Sequence, residues 1–148
     1  KTMVEGLDKL NARFKRLPQA IRKAAGEVLD EVARDMAVTA ARMAPEEHGD
    51  LRESIRWSKV APENAKITNM DKSTEASDLR RFVIAGNEAT MVTNSTGAKF
   101  QNAILQEYGT KAMPANPYFR PAAKQARKKL KTRMSRRVAK AARDAWNG

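Results

Sequence analysis

Residues 105–122, LQEYGTKAMPANPYFRPA, form the most distinctive stretch of this 148-residue chain and lead directly into a strongly basic helix. Three prolines restrict the backbone of this stretch at close intervals: Pro114, Pro117 and Pro121. Gly109 permits a turn conformation that its neighbours adopt only with strain. Tyr108, Tyr118 and Phe119 are therefore aromatic side chains on a stiff segment. This arrangement favours packing against a neighbour, which is either the chain's own core or another subunit.

The basic helix is predicted over residues 119–146, because apolar side chains recur there at every fourth position. They are Ala122, Ala126, Leu130, Met134, Val138 and Ala142. Residues 118–148 hold eleven basic side chains and one acidic side chain, and so account for most of the net charge of +12. Five cationic side chains fall on the opposite face: Lys128, Lys129, Arg136, Lys140 and Arg143. This face is either merely solvated or contacts DNA phosphates or an acidic protein surface.

Residues 1–45 predict a second helical region. Leu7, Leu10, Phe14 and Leu17 recur at helical spacing and indicate a short amphipathic helix. Pro18 fits the first turn of a new helix, which we expect to continue to Pro45. Alanines are frequent along that second helix, so we expect close helix packing, either within the chain or against another subunit.

The middle of the chain predicts short elements. Asp50 and Glu53 have the spacing of a capping box before a helical turn, and Ile55 and Trp57 then alternate as in a strand. The polar segment 62–80 predicts a flexible loop or a β-hairpin arm.

The next elements are predicted from apolar runs and turn residues. A strand at 82–84 is expected to pair with one at 91–92, which a turn over 94–97 closes. A helix is expected over 100–108, with Ile104 and Leu105 facing inwards. Together these elements predict an α+β fold, in which long amphipathic N- and C-terminal helices pack on a small antiparallel β-sheet, as one domain over residues 1–148.

The sequence offers little for catalysis. It contains no cysteine, so disulfides, thiolate chemistry and cysteine-based zinc sites are excluded. Its single histidine, His48, lies among loop carboxylates without a recognisable ligand spacing, and we interpret it as part of a solvated loop. We find no nucleophile elbow, phosphate-binding loop or dinucleotide fingerprint. We therefore expect no enzyme, metal or cofactor, and no membrane span or secretory signal.

Three motifs and their order carry a family resemblance. The motif G-x-L-x-x-S-I spans Gly49–Ile55, an acidic-aromatic-Gly-Thr turn spans Glu107–Thr110, and Pro-aromatic-x-Arg-Pro-Ala ends at Ala122. This succession resembles the tail-completion family of long-tailed bacteriophages, small neck proteins related to minor tail protein Z. Segment 62–80 departs from that pattern because it is longer than the family core needs.

The resemblance implies a structural virion protein of the head–tail neck or of the head-proximal end of the tail, assembled in the bacterial cytoplasm. It would complete the tail and join it to the DNA-filled head as a homo-oligomeric ring, in contact with a connector, tail terminator or tail tube. The expected interface residues are Glu107, Tyr108, Gly109, Thr110, Pro117, Tyr118, Phe119, Arg120 and Pro121. A sequence-nonspecific nucleic-acid-binding protein, acting through the basic helix, is the alternative.

Two of these residues have a second interpretation. Arg120 is either a guanidinium that pairs with a carboxylate of an adjacent subunit or a surface charge beside an aromatic anchor. The carboxylate of Glu107 is expected to tie the turn to a neighbouring amide or arginine, rather than to act in catalysis.

Overall fold

Two long antiparallel helices dominate the computed structural model, which describes residues 3–46, 49–62 and 79–148. Helix α1 spans Met3–Met43, and helix α4, the last element of the chain, spans Phe119–Asn147. The predicted apolar stripe of α4 faces α1, where Ala126 is buried together with Val28 and Val32. The predicted α+β class with long terminal helices is thus confirmed.

The expected boundary at Pro18 is wrong, because α1 runs through this residue without interruption. A proline inside a helix removes one backbone hydrogen bond and crowds the carbonyl four residues earlier. Its effect is local, and the remaining backbone bonds on both sides continue the helix. One helix of 41 residues therefore replaces the two that the proline suggested.

The described residues between the long helices form seven short elements. In chain order they are α2 (Asp50–Ser54), β1 (Arg56–Ser58), β2 (Phe82–Ile84), a 3₁₀ turn (Glu88–Thr90), β3 (Met91–Thr93), β4 (Lys99–Gln101) and α3 (Asn102–Tyr108). The described strands form two separate antiparallel pairs, each of two strands. Within the described residues, two separate two-stranded sheets therefore form where the sequence predicted a single small sheet.

The predicted pairing of β2 with β3 is wrong. β1 takes β2 as its partner, with Trp57 opposite Val83, while β3 pairs with β4, with Val92 opposite Phe100. The reason is the turn after β3, where the Asn94 side chain accepts hydrogen bonds from the backbone N–H groups of Thr96 and Ala98 at 3.1 and 2.8 Å. Such an Asx turn closes a short local hairpin without a distant partner.

The short helices also differ in detail from the expectation. α2 is present, but Asp50 does not cap it, because Gly49 occupies the capping position in a left-handed conformation with φ of 76°. α3 begins at Asn102 because the two preceding residues complete β4. Ile104 is 56% exposed, so its predicted inward orientation is wrong, and Leu105 is half-buried. The buried residues of α3 are Ala103, Gln106 and Glu107.

A second core cluster lies where α1 ends. It brings Ala40 of α1 and Ala44, which directly follows α1, together with Leu51, Ala103 and Ala122 from three other helices. Tyr118, which directly precedes α4, completes the cluster and is only 1% exposed. This cluster packs Ala103, near the start of α3, against the N-terminal end of α4. No helix within the described ranges is long and apolar enough to cross a membrane.

The predicted arm 62–80 falls largely on residues 63–78, which lie outside the described residues. Its two flanks meet at Asp30 of α1, which is hydrogen-bonded to Arg81 and lies 3.4 Å from the Lys59 ammonium. Burial alone would raise the pKa of Asp30. The hydrogen bonds and charges of Arg81 and Lys59 outweigh burial and hold the pKa below its usual value of 3.8.

Candidate functional site

The carboxylate of Glu107 caps the N-terminus of α4. One oxygen accepts hydrogen bonds from the backbone N–H groups of Tyr118 at 2.9 Å and Phe119 at 2.8 Å, and the other accepts from Arg120 at 2.9 Å. Tyr118, at the capping position, provides no side-chain cap itself. A carboxylate from α3 thus satisfies three N–H groups that the helix leaves unpaired, and its charge suits the positive end of the helix dipole. This agrees with the interpretation that Glu107 ties the turn to neighbouring amides.

The side chain of Tyr118 stabilises the contact between α3 and α4 from inside the core. Its hydroxyl donates a hydrogen bond to the carbonyl oxygen of Ala103 at 3.2 Å. Burial, and then the negative charge of Glu107, raise the pKa of Tyr118 well above its ordinary value of 10. The hydroxyl therefore stays a neutral donor at physiological pH, and its ring packs edge-on against Phe119 with centroids 6.3 Å apart.

The turn between α3 and α4 requires glycine at its first position. Gly109 has φ of 72°, and a Cβ atom there would lie 2.6 Å from the backbone nitrogen of Ala115. The turn folds back on α3, because the N–H of Asn116 donates to the carbonyl of Gln106 at 2.8 Å. We call residues 107–121 the clasp, since this segment fastens α4 to α3.

The outer side of the clasp carries an exposed aromatic–cation pair. Tyr108 is 64% exposed, and the guanidinium of Arg120 lies 5.7 Å from the centroid of its ring. Such contacts contribute about 0.5–1 kcal/mol at exposed sites, so they orient the two side chains without burying them. A planar guanidinium that is held beside a phenol ring can donate hydrogen bonds to a carboxylate of another molecule.

The expected interface residues, all of which lie in the clasp, therefore fall into buried, half-buried and exposed groups. Glu107 and Tyr118 are buried and make their contacts within the chain. Gly109, Phe119 and Pro121 are half-buried, whereas Tyr108, Thr110, Pro117 and Arg120 are exposed. A subunit interface at this surface stays a prediction. The exposed group presents the most surface to a partner, whereas the two buried side chains present almost none.

The second candidate surface is the basic face of α4, one side of which is neutralised by α1. Among the described side chains, five ion pairs link the two helices, at distances from 2.7 to 3.9 Å: Glu27–Arg137, Glu31–Arg137, Glu31–Arg133, Asp35–Arg133 and Asp35–Lys129. We call these six residues the ladder. Its acids and its bases both recur at every fourth position, so they stay in register along the antiparallel pair.

The five cations predicted to contact DNA or an acidic partner differ in whether they already form an ion pair. Lys129 pairs with Asp35, and Lys140 pairs with Asp144 within α4. Lys128, Arg136 and Arg143 are exposed and have no ion pair among the residues described here. Three further exposed cations of α4 in the same situation were missed: Lys124, Arg127 and Lys131. The four-residue spacing of Glu27, Glu31 and Asp35 was the sequence signal that could have separated the two groups.

One cleft on the described surface is smaller than a typical ligand pocket. This cleft of about 80 Å³ lies between α2, the 3₁₀ turn and α3, next to Leu51, Thr90 and Gln106. Pockets that enclose drug-sized ligands are usually about 300–1,000 Å³. Within residues 3–46, 49–62 and 79–148, no group of three or more acidic, histidine or cysteine side chains could hold a metal ion. His48 lies outside the described residues.

Comparison with known proteins identifies the family. Residues 8–109 match the profile of a family described as "Bacteriophage HK97-gp10, putative tail-component". No curated protein and no solved structure gives a significant match. The matched region begins inside α1, continues through α3 and ends within the clasp, so α4 follows it. The family is one of phage structural components and not of enzymes. The chain therefore belongs to the HK97-gp10-like family of bacteriophage tail components.

Proposed function

We propose that this chain is a structural protein of the phage neck, which completes the tail and joins it to the DNA-filled head. The observation that carries this proposal is the exposed Tyr108–Arg120 pair on a rigid base. Three backbone N–H groups that donate to the Glu107 carboxylate, together with the buried Tyr118 side chain, fix that base. A surface whose backbone is fixed before binding loses less conformational entropy when a partner docks on it.

The proposed mechanism is assembly through repeated contacts between subunits. The guanidinium of Arg120 pairs with a carboxylate of a neighbour, while Tyr108 supplies apolar contact area at the same place. A contact between two different surfaces of identical subunits closes into a ring when its rotation allows it. In this proposal the ring meets a connector, a tail terminator or a tail tube, within a virion assembled in the bacterial cytoplasm. One domain over residues 1–148 provides all these contacts.

A complementation experiment tests this role. Phage lacking the gene should accumulate filled heads and separate tails in electron micrographs, and the wild-type gene should restore joined particles. Arg120→Glu should reduce the yield of joined particles at least about tenfold, because it replaces the pairing cation with a repelling charge. Arg22→Glu, at an exposed position of α1, is the matched control and should complement normally. Normal joining with Arg120→Glu would overturn the role of the clasp surface, and normal joining without the gene would overturn the neck function.

A sequence-nonspecific nucleic-acid-binding protein that acts alone is the second candidate. It is favoured by the exposed cations of α4 that have no ion pair among the described residues. Mass measurement in solution, with and without DNA, separates the two candidates. A defined ring without DNA supports the neck protein, and a monomer that associates only on DNA supports the alternative.

A further inference from the structure

We propose that the outer face of α4 contacts the phosphate backbone of duplex DNA without reading its sequence. We define this outer face by six exposed cations: Lys124, Arg127, Lys128, Lys131, Arg136 and Arg143. A neck protein can join two assemblies without touching DNA, so this contact goes beyond the structural role. It requires only that α4 lies on α1 as described.

The first argument is that the fold compensates one row of cations and leaves the others uncompensated. Lys129, Arg133 and Arg137 follow each other at every fourth position, and each meets at least one acid of α1. The six outer cations occupy the neighbouring rows of the same helix. Among the residues described, none of the six has an ion-pair partner. The charge of α4 is therefore concentrated on the side that faces away from α1.

The second argument is that this concentration opposes folding. Lys124 and Lys128 stand four residues apart, as do Arg127 and Lys131, and like charges at this spacing repel each other on a helix. An acid within either pair would relieve the repulsion, and α1 shows that this chain places acids at such spacing. The outer cations therefore act against helix stability, which favours a role in binding an anion.

The third argument concerns the kind of partner. The outer rows also hold Thr132, Ser135 and Ala139, so they contain no large apolar side chain. Protein–protein interfaces are depleted in lysine and have an apolar centre, whereas DNA interfaces are polar and strongly positive. An outer face composed of cations and small residues matches a phosphate backbone better than an acidic protein.

The fourth argument is geometric. From Lys124 to Arg143 the helix rises by about 28 Å at 1.5 Å per residue, which is the length of roughly eight base pairs at 3.4 Å each. Between Lys124 and Arg143 the outer rows carry no asparagine or glutamine and no aromatic side chain, so this span offers neither amide pairing with bases nor a stacking surface. Binding should therefore depend on salt and not on sequence.

Fluorescence anisotropy with a 30-base-pair duplex of arbitrary sequence tests the proposal on the full chain. If five or six phosphates are neutralised, the slope of log affinity against log salt should lie between about −4 and −6. A second duplex of unrelated sequence should bind equally well. A polyglutamate peptide of equal charge distinguishes a phosphate backbone from an acidic protein and should bind at least about tenfold more weakly.

Two triple variants that remove the same residue types from the same helix provide the control. The outer variant is Lys128→Gln, Arg136→Gln and Arg143→Gln, and the ladder variant is Lys129→Gln, Arg133→Gln and Arg137→Gln. The outer variant should lose affinity on the order of 100-fold at 0.1 M salt and flatten the salt slope by about 2 to 3. The ladder variant should lose less than about tenfold. Circular dichroism checks that each variant is folded. If the outer triple variant does not fold, the double variant Lys124→Gln and Lys131→Gln takes its place.

Three results would overturn the proposal. They are equal loss of affinity in both triple variants, tighter binding of polyglutamate than of DNA, and no binding of wild-type protein at 50 mM salt. The phage complementation experiment remains independent of these outcomes. A chain that binds DNA as described but is dispensable for joining heads to tails would overturn the neck function and leave this inference intact.

Discussion

The clasp and the ladder hold the same helix, α4, by different physical means. The clasp uses a buried carboxylate on three backbone N–H groups, together with a buried tyrosine. The ladder uses ion pairs whose side chains are between 36% and 52% exposed. Buried hydrogen bonds to charge contribute strongly because their loss leaves unpaired groups, whereas exposed pairs contribute little and are screened by salt. We therefore expect the clasp to contribute most of the stability that these polar contacts give to the position of α4, and the ladder to contribute a smaller, salt-dependent part.

The largest effect should come from breaking the clasp. Glu107→Ala leaves three N–H groups at the start of α4 without their acceptor, so we expect the free energy of unfolding to fall by about 3 kcal/mol. Urea unfolding followed by circular dichroism measures it. Glu53→Ala removes an exposed carboxylate from α2 and should change stability by less than about 0.5 kcal/mol. Equal effects of the two substitutions would contradict the assigned importance of the cap.

A smaller effect should come from distorting the turn within the clasp. Gly109→Ala forces a Cβ atom to 2.6 Å from the backbone of Ala115, at a φ of 72°, and should cost about 2 kcal/mol. Gly97→Ala is the matched control, because Gly97 also has positive φ but open space around it. It should cost about 1 kcal/mol. Thermal unfolding of both variants tests whether the crowding adds to the backbone strain.

The smallest effect should come from the ladder. Arg133→Gln removes contacts with Glu31 and Asp35, and we expect a loss of about 0.5–1 kcal/mol at low salt. The difference from wild type should shrink towards zero in 1 M NaCl, because the Debye length falls to about 3 Å. The Glu107→Ala deficit should persist under the same conditions. If the two deficits respond equally to salt, the clasp and the ladder do not differ as described.

The sequence predicted the elements whose signal is local and periodic. The α4 stripe and the α+β class followed from apolar spacing, and the role of Glu107 followed from a carboxylate beside a turn. Other predictions were wrong. Pro18 did not interrupt α1, and β2 paired with β1 instead of β3. The capping position of α2 is occupied by Gly49 and not by Asp50. Each outcome depends on a partner or a backbone conformation that spacing alone does not specify.

The amino-acid sequence by itself determined that this protein has two long helices, a proline-rich turn between α3 and α4, and a concentration of positive charge in its last 31 residues. Periodicity and charge are properties of the chain, so they need no partner. Only the tertiary structure decided that Glu107 and Tyr118 face inwards while Tyr108 and Arg120 face outwards. It also decided which cations of α4 are neutralised, because the antiparallel register brings the acids of α1 to one side of that helix alone.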